Sequence, residues 1–203
     1  MSASVKVIAI CGSLRETSFT RMALELALNS AAELGADTQL IDLREFNLIF
    51  CDGSSDGLPA DVLRLRKLVG DAQGIILGTP EYHGGYSGVL KNALDLMGFE
   101  EFEGKMVGLV GVSAGSQGAA EAVNSLRTVG RALHAWVVPE QVSIPFVDGV
   151  FEKTGQCKDE NVTKRLESLG RQVARFSFLH SSSDAMDFIR AWEEAPNNPG
   201  ANY

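Results

Sequence analysis

Positive charge is scarce in this sequence. Eighteen Lys and Arg stand against 26 Asp and Glu, a formal net charge of −8, so the chain has no general means of displacing counterions from a nucleic acid. Cysteine is scarcer still. Cys11, Cys51 and Cys157 are odd in number and far apart, which makes neither a disulfide framework nor a metal pattern and fits a reducing compartment. No apolar run approaches the length that spans a bilayer. The run Val5-Lys6-Val7-Ile8-Ala9-Ile10-Cys11 is also too short for a signal peptide's apolar region plus cleavage site. A cytoplasmic protein that engages neither nucleic acid nor membrane is the expectation. What is present is a globular composition, 45% apolar and 22% charged over 203 residues, enough for one α/β core.

Strand-like and helix-like segments alternate along the chain. The first run is β-branched, unbroken by alternation and ends at Gly12, which suits a strand buried on both faces. Phe19, Met22, Ala23, Leu26 and Ala27 then recur at helical spacing, with Gly35 placed to close the helix. Residues 38–43 read as a second strand, and Pro59 opens a helix through Val62, Leu65, Leu68 and Val69. Gly74 to Gly78 is a third strand ended by Thr79-Pro80, followed by a helix with Val89, Leu90, Ala93, Leu94 and Met97 on one face. Met106 to Val112 is a fourth strand, followed by a helix from Ala119 to Leu133. A fifth strand runs through Trp136 and Ile144, bent near Pro139, before a last helix carrying Val162, Leu166, Leu169, Val173 and Phe176. The pattern specifies a parallel sheet covered by helices on both faces. Residues 1–181 form one domain on this reading, and residues 182–203 an extension with a short helix near Trp192 and a mobile tail. Ligands of such sheets sit beyond the carboxyl ends of the strands, where strand order reverses.

The loop after the first strand, Gly12-Ser13-Leu14-Arg15-Glu16-Thr17-Ser18-Phe19-Thr20, aims backbone N–H groups and the positive end of a helix at one point. The hydroxyls of Ser13, Ser18 and Thr20 and the guanidinium of Arg15 surround that point, a donor set suited to a phosphate. Ser18 capping its helix and a solvated Arg15 is the plainer alternative. No Gly-Lys-Ser/Thr follows four spacers, so this is no P-loop, and Gly12 alone cannot supply a three-glycine dinucleotide fingerprint. Asp42, near the end of the second strand, is a weak ribose candidate without those glycines. A terminal monophosphate fits best.

The loop after the third strand, Thr79-Pro80-Glu81-Tyr82-His83-Gly84-Gly85-Tyr86-Ser87-Gly88, combines glycines that allow close backbone approach with two tyrosines that offer flat surfaces. Gly12-Ser13-Leu14-Arg15 with Ser18, then Thr79-Pro80-Glu81-Tyr82, then Gly88-Val89-Leu90-Lys91-Asn92-Ala93-Leu94-Asp95 together resemble the NADPH-dependent FMN reductase family. The likeness covers roughly residues 5 to 145. It implies a flavodoxin-like doubly wound, five-stranded parallel sheet of order 2-1-3-4-5, non-covalent FMN, NADPH or NADH as co-substrate, and homodimers or homotetramers. By position it implies phosphate contacts from Ser13, Arg15, Ser18 and Thr20, and isoalloxazine contacts from Pro80, Glu81, Tyr82, His83 and Gly84. The family usually has Asn where this chain has His83.

In the flavin reading, the loop Gly111 to Gly118 brings Ser113 and Gly115 to the pyrimidine side of the ring. The same Gly111-x-Ser113-x-Gly115 matches a hydrolase nucleophile elbow, with Asp148 and His180 following in the required order. Too few strands separate His83-Gly84-Gly85 from Ser113 for that fold, and Arg15 is left unused. Cys11 reads as a small core residue. The expected chemistry is hydride transfer from nicotinamide through FMN to a small acceptor (quinone, free flavin, azo compound or metal oxyanion) with ping-pong kinetics and no essential acid or base. A non-enzymatic FMN electron carrier or regulatory module is the alternative within the same fold.

Overall fold

The computed structural model describes residues 5–195. The mobile tail expected at the C-terminus falls largely outside that range. Strand β1 (Lys6–Cys11) leads to α1 (Phe19–Glu33), β2 (Asp37–Asp42), a 3-10 turn at Leu43–Glu45 and α2 (Ala60–Gly70). Then come β3 (Gly74–Tyr82), β4 (Gly85–Tyr86), α3 (Gly88–Asp95), α4 (Phe99–Phe102), β5 (Met106–Val112) and α5 (Ala120–Ala132). The chain finishes with β6 (Trp136–Ile144), α6 (Val147–Val150), α7 (Glu160–Ser181) and α8 (Ser183–Glu193).

The main sheet has the order β2-β1-β3-β5-β6, all neighbours parallel. This is the doubly wound, flavodoxin-like arrangement the sequence led us to expect, with one addition. Strand β4 pairs antiparallel with the end of β3 and lies off the main path, so the strands expected as fourth and fifth are β5 and β6.

Alternation along the strands assigns the two cores. Val7, Ala9 and Cys11 of β1 pack with α1 and α7 on one face, through Leu24, Ala27, Leu166, Leu169 and Val173. Ile8 and Ile10 point the other way, into a second core with Leu65 and Val69 of α2, Leu90 and Leu94 of α3, and Leu126 of α5. Both faces are buried, which is why β1 reads as unbroken hydrophobicity.

One strand boundary differs from expectation. β3 does not stop at Thr79-Pro80 but runs to Tyr82, because β5 pairs with it as far as Pro80 and β4 pairs with Glu81 and Tyr82, although β1 ends at Cys11 opposite Gly78. Beyond that point one edge of β3 is free, and Pro80 sits there without breaking a ladder hydrogen bond on that side. Strand β6 passes through Pro139 with a register shift between the pairs Val107↔Val137 and Leu109↔Gln141. At this bulge Arg127 Nη2 donates to the carbonyls of Val138 (3.1 Å) and Pro139 (3.2 Å), and Arg165 Nη2 donates to the carbonyl of Gln141 (2.7 Å). Helix α8 has no buried residue, and it follows α7 across Ser182, which caps it by accepting from the Ala185 amide at 3.2 Å.

Candidate functional site

The carboxyl ends of β1, β3 and β5 converge on one cavity of about 240 Å³. Ser13, Arg15 and Thr20 line it from the first loop, Pro80, Glu81 and Tyr82 from the second, and Ser113, Ala114 and Gly115 from the third. Eight of the eleven residues singled out in the sequence therefore share one wall system. Ser18, His83 and Gly84 do not line it.

The first loop is organised by a residue that sequence reasoning missed. Arg21 Nε donates to Asp42 Oδ2 at 3.0 Å, while its two terminal nitrogens donate to the carbonyls of Glu16 and Arg15 at 3.1 Å each. In a planar trans peptide the N–H points opposite its carbonyl. Holding those two carbonyls turns the Glu16 and Thr17 amides away from Arg21 and Asp42. Arg21 is a cation in the first turn of a helix, where the macrodipole disfavours it; that local misfit was the available clue. Asp42 is 6% exposed, and Arg44 joins it at 2.6 Å. Burial pushes its carboxyl up, but hydrogen bonds from Arg44 and then the charges of Arg21 and Arg44 outweigh this and hold it below the usual range. It is fully engaged within the protein and is no ribose ligand.

Ser18 is the N-cap of α1. Its Oγ accepts from the Arg21 amide at 3.2 Å, which uses one oxygen lone pair and leaves the hydroxyl proton able to donate. Its neighbours Phe19 and Thr20 carry the first two helical amides, which no intrahelical carbonyl reaches. Ser13 is 3% and Thr20 1% exposed. Arg15, in contrast, is exposed and its guanidinium makes no ion pair or hydrogen bond among the described residues. Cys11 lies beneath the loop, fully buried, and burial pushes its thiol up, as befits a core residue.

The second loop is a hairpin. Tyr82 pairs with Gly85 across a two-residue tip, and both tip residues are left-handed, His83 at φ 53° and Gly84 at φ 75°. Positive φ at both central positions is the mark of a type I′ turn, the connection that matches the strands' twist and favours Asn-Gly. His is among the few non-glycine residues that tolerate this region. The hairpin holds Glu81 and Tyr82 at the cavity. His83→Asn is expected to keep or slightly raise stability, whereas His83→Val should cost about 1–2 kcal/mol in urea denaturation, since a Cβ-branched residue resists the left-handed region.

Glu81 reaches further. Its Oε2 accepts from the Ala122 amide at 3.1 Å, capping α5, whose own N-cap Ala119 supplies no side-chain bond. The third loop is pinned to the end of β6. The Ser113 amide donates to Ile144 O (3.0 Å), Phe146 N to Gly115 O (3.3 Å) and Val147 N to Ser113 O (3.1 Å). Phe146 adopts φ 45° to make this turn. It brings Val147 and Asp148 into the cavity lining beside Phe19, three positions the sequence did not mark for this site.

The hydrolase arrangement is not formed. Ser113 Oγ accepts from the Gly115 amide at 3.1 Å. His180 sits at the end of α7 with Nδ1 against Phe176 O at 2.9 Å, and no histidine lines the cavity.

The model of the NADPH-dependent FMN reductase family matches residues 5–149. The chain is 33% identical over 184 residues to an NAD(P)H-dependent FMN reductase of Pseudomonas aeruginosa, covering 86% of this chain and 98% of that one. It is 32% identical over 156 residues to an NADPH azoreductase of a Bacillus species, covering 77% and 84%. Among solved structures, the flavoenzyme FerB of Paracoccus denitrificans, an NAD(P)H:(acceptor) oxidoreductase, superposes with a TM-score of 0.69 at 25% identity over 87% of this chain and 98% of that one.

Proposed function

The chain belongs to the NADPH-dependent FMN reductase family, an oxidoreductase using FMN and NAD(P)H, and from that premise we propose that it passes reducing equivalents from NAD(P)H to a small acceptor (quinone, free flavin, azo compound or metal oxyanion) by a ping-pong mechanism. The observation that carries this reading is the convergence of a cation-bearing helix start and a flat-walled hairpin on one cavity.

The residues present fit the cofactor. At one end stand the exposed Arg15 guanidinium, the hydroxyls of Ser13 and Thr20, and the first amides of α1, a donor set that suits a dianionic phosphate. Toward the other end, Pro80 and Tyr82 supply flat apolar surface, and the loop from Ser113 to Gly115 supplies small residues that permit close approach of a ring. FMN bound there supplies two-electron hydride chemistry that no side chain of the protein can perform.

The protein's part is to bind, orient and stabilise. Arg15 neutralises the phosphate charge. Glu81, fixed by its bond to Ala122, keeps the backbone of β3 rigid beside the ring position. Amides of the hairpin, and those of the third loop other than the already engaged Ser113 and Gly115 amides, would be the donors to negative charge on the ring. No histidine is available in the lining, so proton transfer by an essential imidazole is not part of the scheme. Nicotinamide and acceptor use the open side of the cavity in turn, which gives parallel double-reciprocal plots.

Residues 1–181 act as the catalytic domain in this scheme, and residues 182–203 as an appendage. Three unpaired cysteines and the absence of a helix able to cross a membrane among the described residues suit a cytoplasmic enzyme. A homodimer or homotetramer is the assembly implied by the family resemblance. The test is the visible spectrum of the purified protein: flavin bands that bleach when NADPH or NADH is added without oxygen. A colourless protein with no affinity for added FMN overturns the reading.

A further inference from the structure

Two of the cavity's loops meet at a buried serine of the second loop that does not itself line the cavity. We propose that Ser87 is a positioning residue that locks the phosphate loop to the ring loop, so that one FMN molecule can be gripped at both ends at once. This inference rests on the FMN reading above.

Ser87 is 2% exposed. Its Oγ donates to the carbonyl of Gly12 at 2.6 Å and accepts from the Leu90 amide at 3.2 Å, capping α3. Its own amide donates to Thr79 Oγ1 at 2.9 Å, and that fully buried hydroxyl donates in turn to Pro80 O at 2.7 Å. Gly12 closes the ring of contacts by donating its amide to Gly78 O at 2.8 Å. A Cβ on Gly12 would stand 2.7 Å from Leu90 Cβ and 2.9 Å from Gly78 O, so only glycine lets the end of β1 approach this closely.

The position of the knot gives it meaning. Ser13 follows Gly12 directly, and Glu81 and Tyr82 follow Pro80 directly. The first group lines the phosphate end of the cavity and the second the hairpin wall. Both loops therefore leave from atoms tied to one residue, the first through the Ser87 hydroxyl and the second through the Ser87 amide and Thr79. An ordinary helix cap would satisfy only the Leu90 amide; the short bond to Gly12 O, 75 residues away in sequence, serves the registration of two loops instead. Without the hydroxyl, each loop can still hold its half of the ligand, but the halves are no longer held at the spacing FMN requires.

The prediction concerns a ratio rather than a single affinity. Riboflavin engages the ring loop alone, and FMN engages both, so Kd(riboflavin)/Kd(FMN) measures how well the phosphate loop is registered. Ser87→Ala should lower that ratio about tenfold, the usual weight of one lost buried hydrogen bond. Leu169→Ala, a buried change in α7 away from the cavity, should lower the melting temperature and leave the ratio unchanged. If Ser87→Ala does not fold, Thr79→Val carries the same measurement. Hydrogen exchange on the protein without flavin provides the second readout: amides of residues 13–18 and 81–86 should speed up together in Ser87→Ala. An unchanged ratio, or a ratio that falls equally in Leu169→Ala, overturns the proposal. Faster exchange in both loops of a wild-type-like fold that binds no flavin would keep the lock and overturn the FMN reading instead.

Discussion

Arg15→Ala is expected to weaken FMN binding by about 10- to 150-fold, since a charge-assisted contact to phosphate contributes about 1.5–3 kcal/mol. The turnover of enzyme saturated with FMN should change little, because the guanidinium is assigned to the phosphate and not to the ring that carries the hydride. The side chain is unusually available for this role. Arg21 and Arg44 are both bound to Asp42, whereas Arg15 has no acidic partner among the described residues and lines the cavity. Removing it should therefore leave the fold intact, with no buried carboxylate orphaned. Arg15→Lys should fall between, keeping the charge but not the planar fork. Equilibrium titration with FMN, paired with kcat at saturating FMN, separates the two effects. A variant that retains FMN normally, or retains it and cannot oxidise NADPH, contradicts the phosphate role.

The second large effect is structural. Gly170→Ala in α7 should destabilise the protein by about 3 kcal/mol or more, although the same change in an exposed helix normally gains about 1 kcal/mol. A Cβ there would lie inside the contact distance of the Ala27 carbonyl oxygen and 2.8 Å from its carbon. The obstacle is backbone, which cannot rotate aside. Ser30 fixes the same crossing, donating to Ala27 O at 2.8 Å and Glu167 O at 2.9 Å. To admit a methyl group, α1 must move off α7, and α1 begins at the phosphate loop. Urea denaturation measures the loss, and a gain in stability would show that the helices separate at little cost.

Much of the fold was legible because burial on both faces writes unbroken β-branched runs, and amphipathic helices write a repeat of three to four residues. Topology followed from alternation. The departures share a cause: they lie where tertiary contacts override local signals. Pro80 reads as a strand end, yet the strand continues because β5 and then β4 still pair with it, and the proline is tolerated because the β1 edge there has no partner. His83-Gly84 reads as loop, and the two-residue hairpin appears only once Tyr82 and Gly85 are seen to pair. The left-handed φ at His83 also gives a physical reason for the Asn that the family usually places there: both residues accept that conformation. Ser18 caps α1 by accepting the Arg21 amide, a second task for a hydroxyl that keeps its own proton. Asp148 enters the cavity through the turn at Phe146 and the bonds to Ser113 and Gly115, which no local pattern announces. Arg21 and Ser87 act through partners 21 and 75 residues away, beyond the reach of any motif.

The bulge in β6 has a consequence for how copies of this molecule meet. β6 is the outer strand of the sheet, and an outer strand with a row of open carbonyls invites another chain to add itself and grow a fibril. Here Pro139 has no N–H to offer, the bulge breaks the row, and the guanidinium groups of Arg127 and Arg165 already occupy the carbonyls of Val138, Pro139 and Gln141. This margin is closed to strand addition, so the concentrated protein is protected there from polymerising through its sheet.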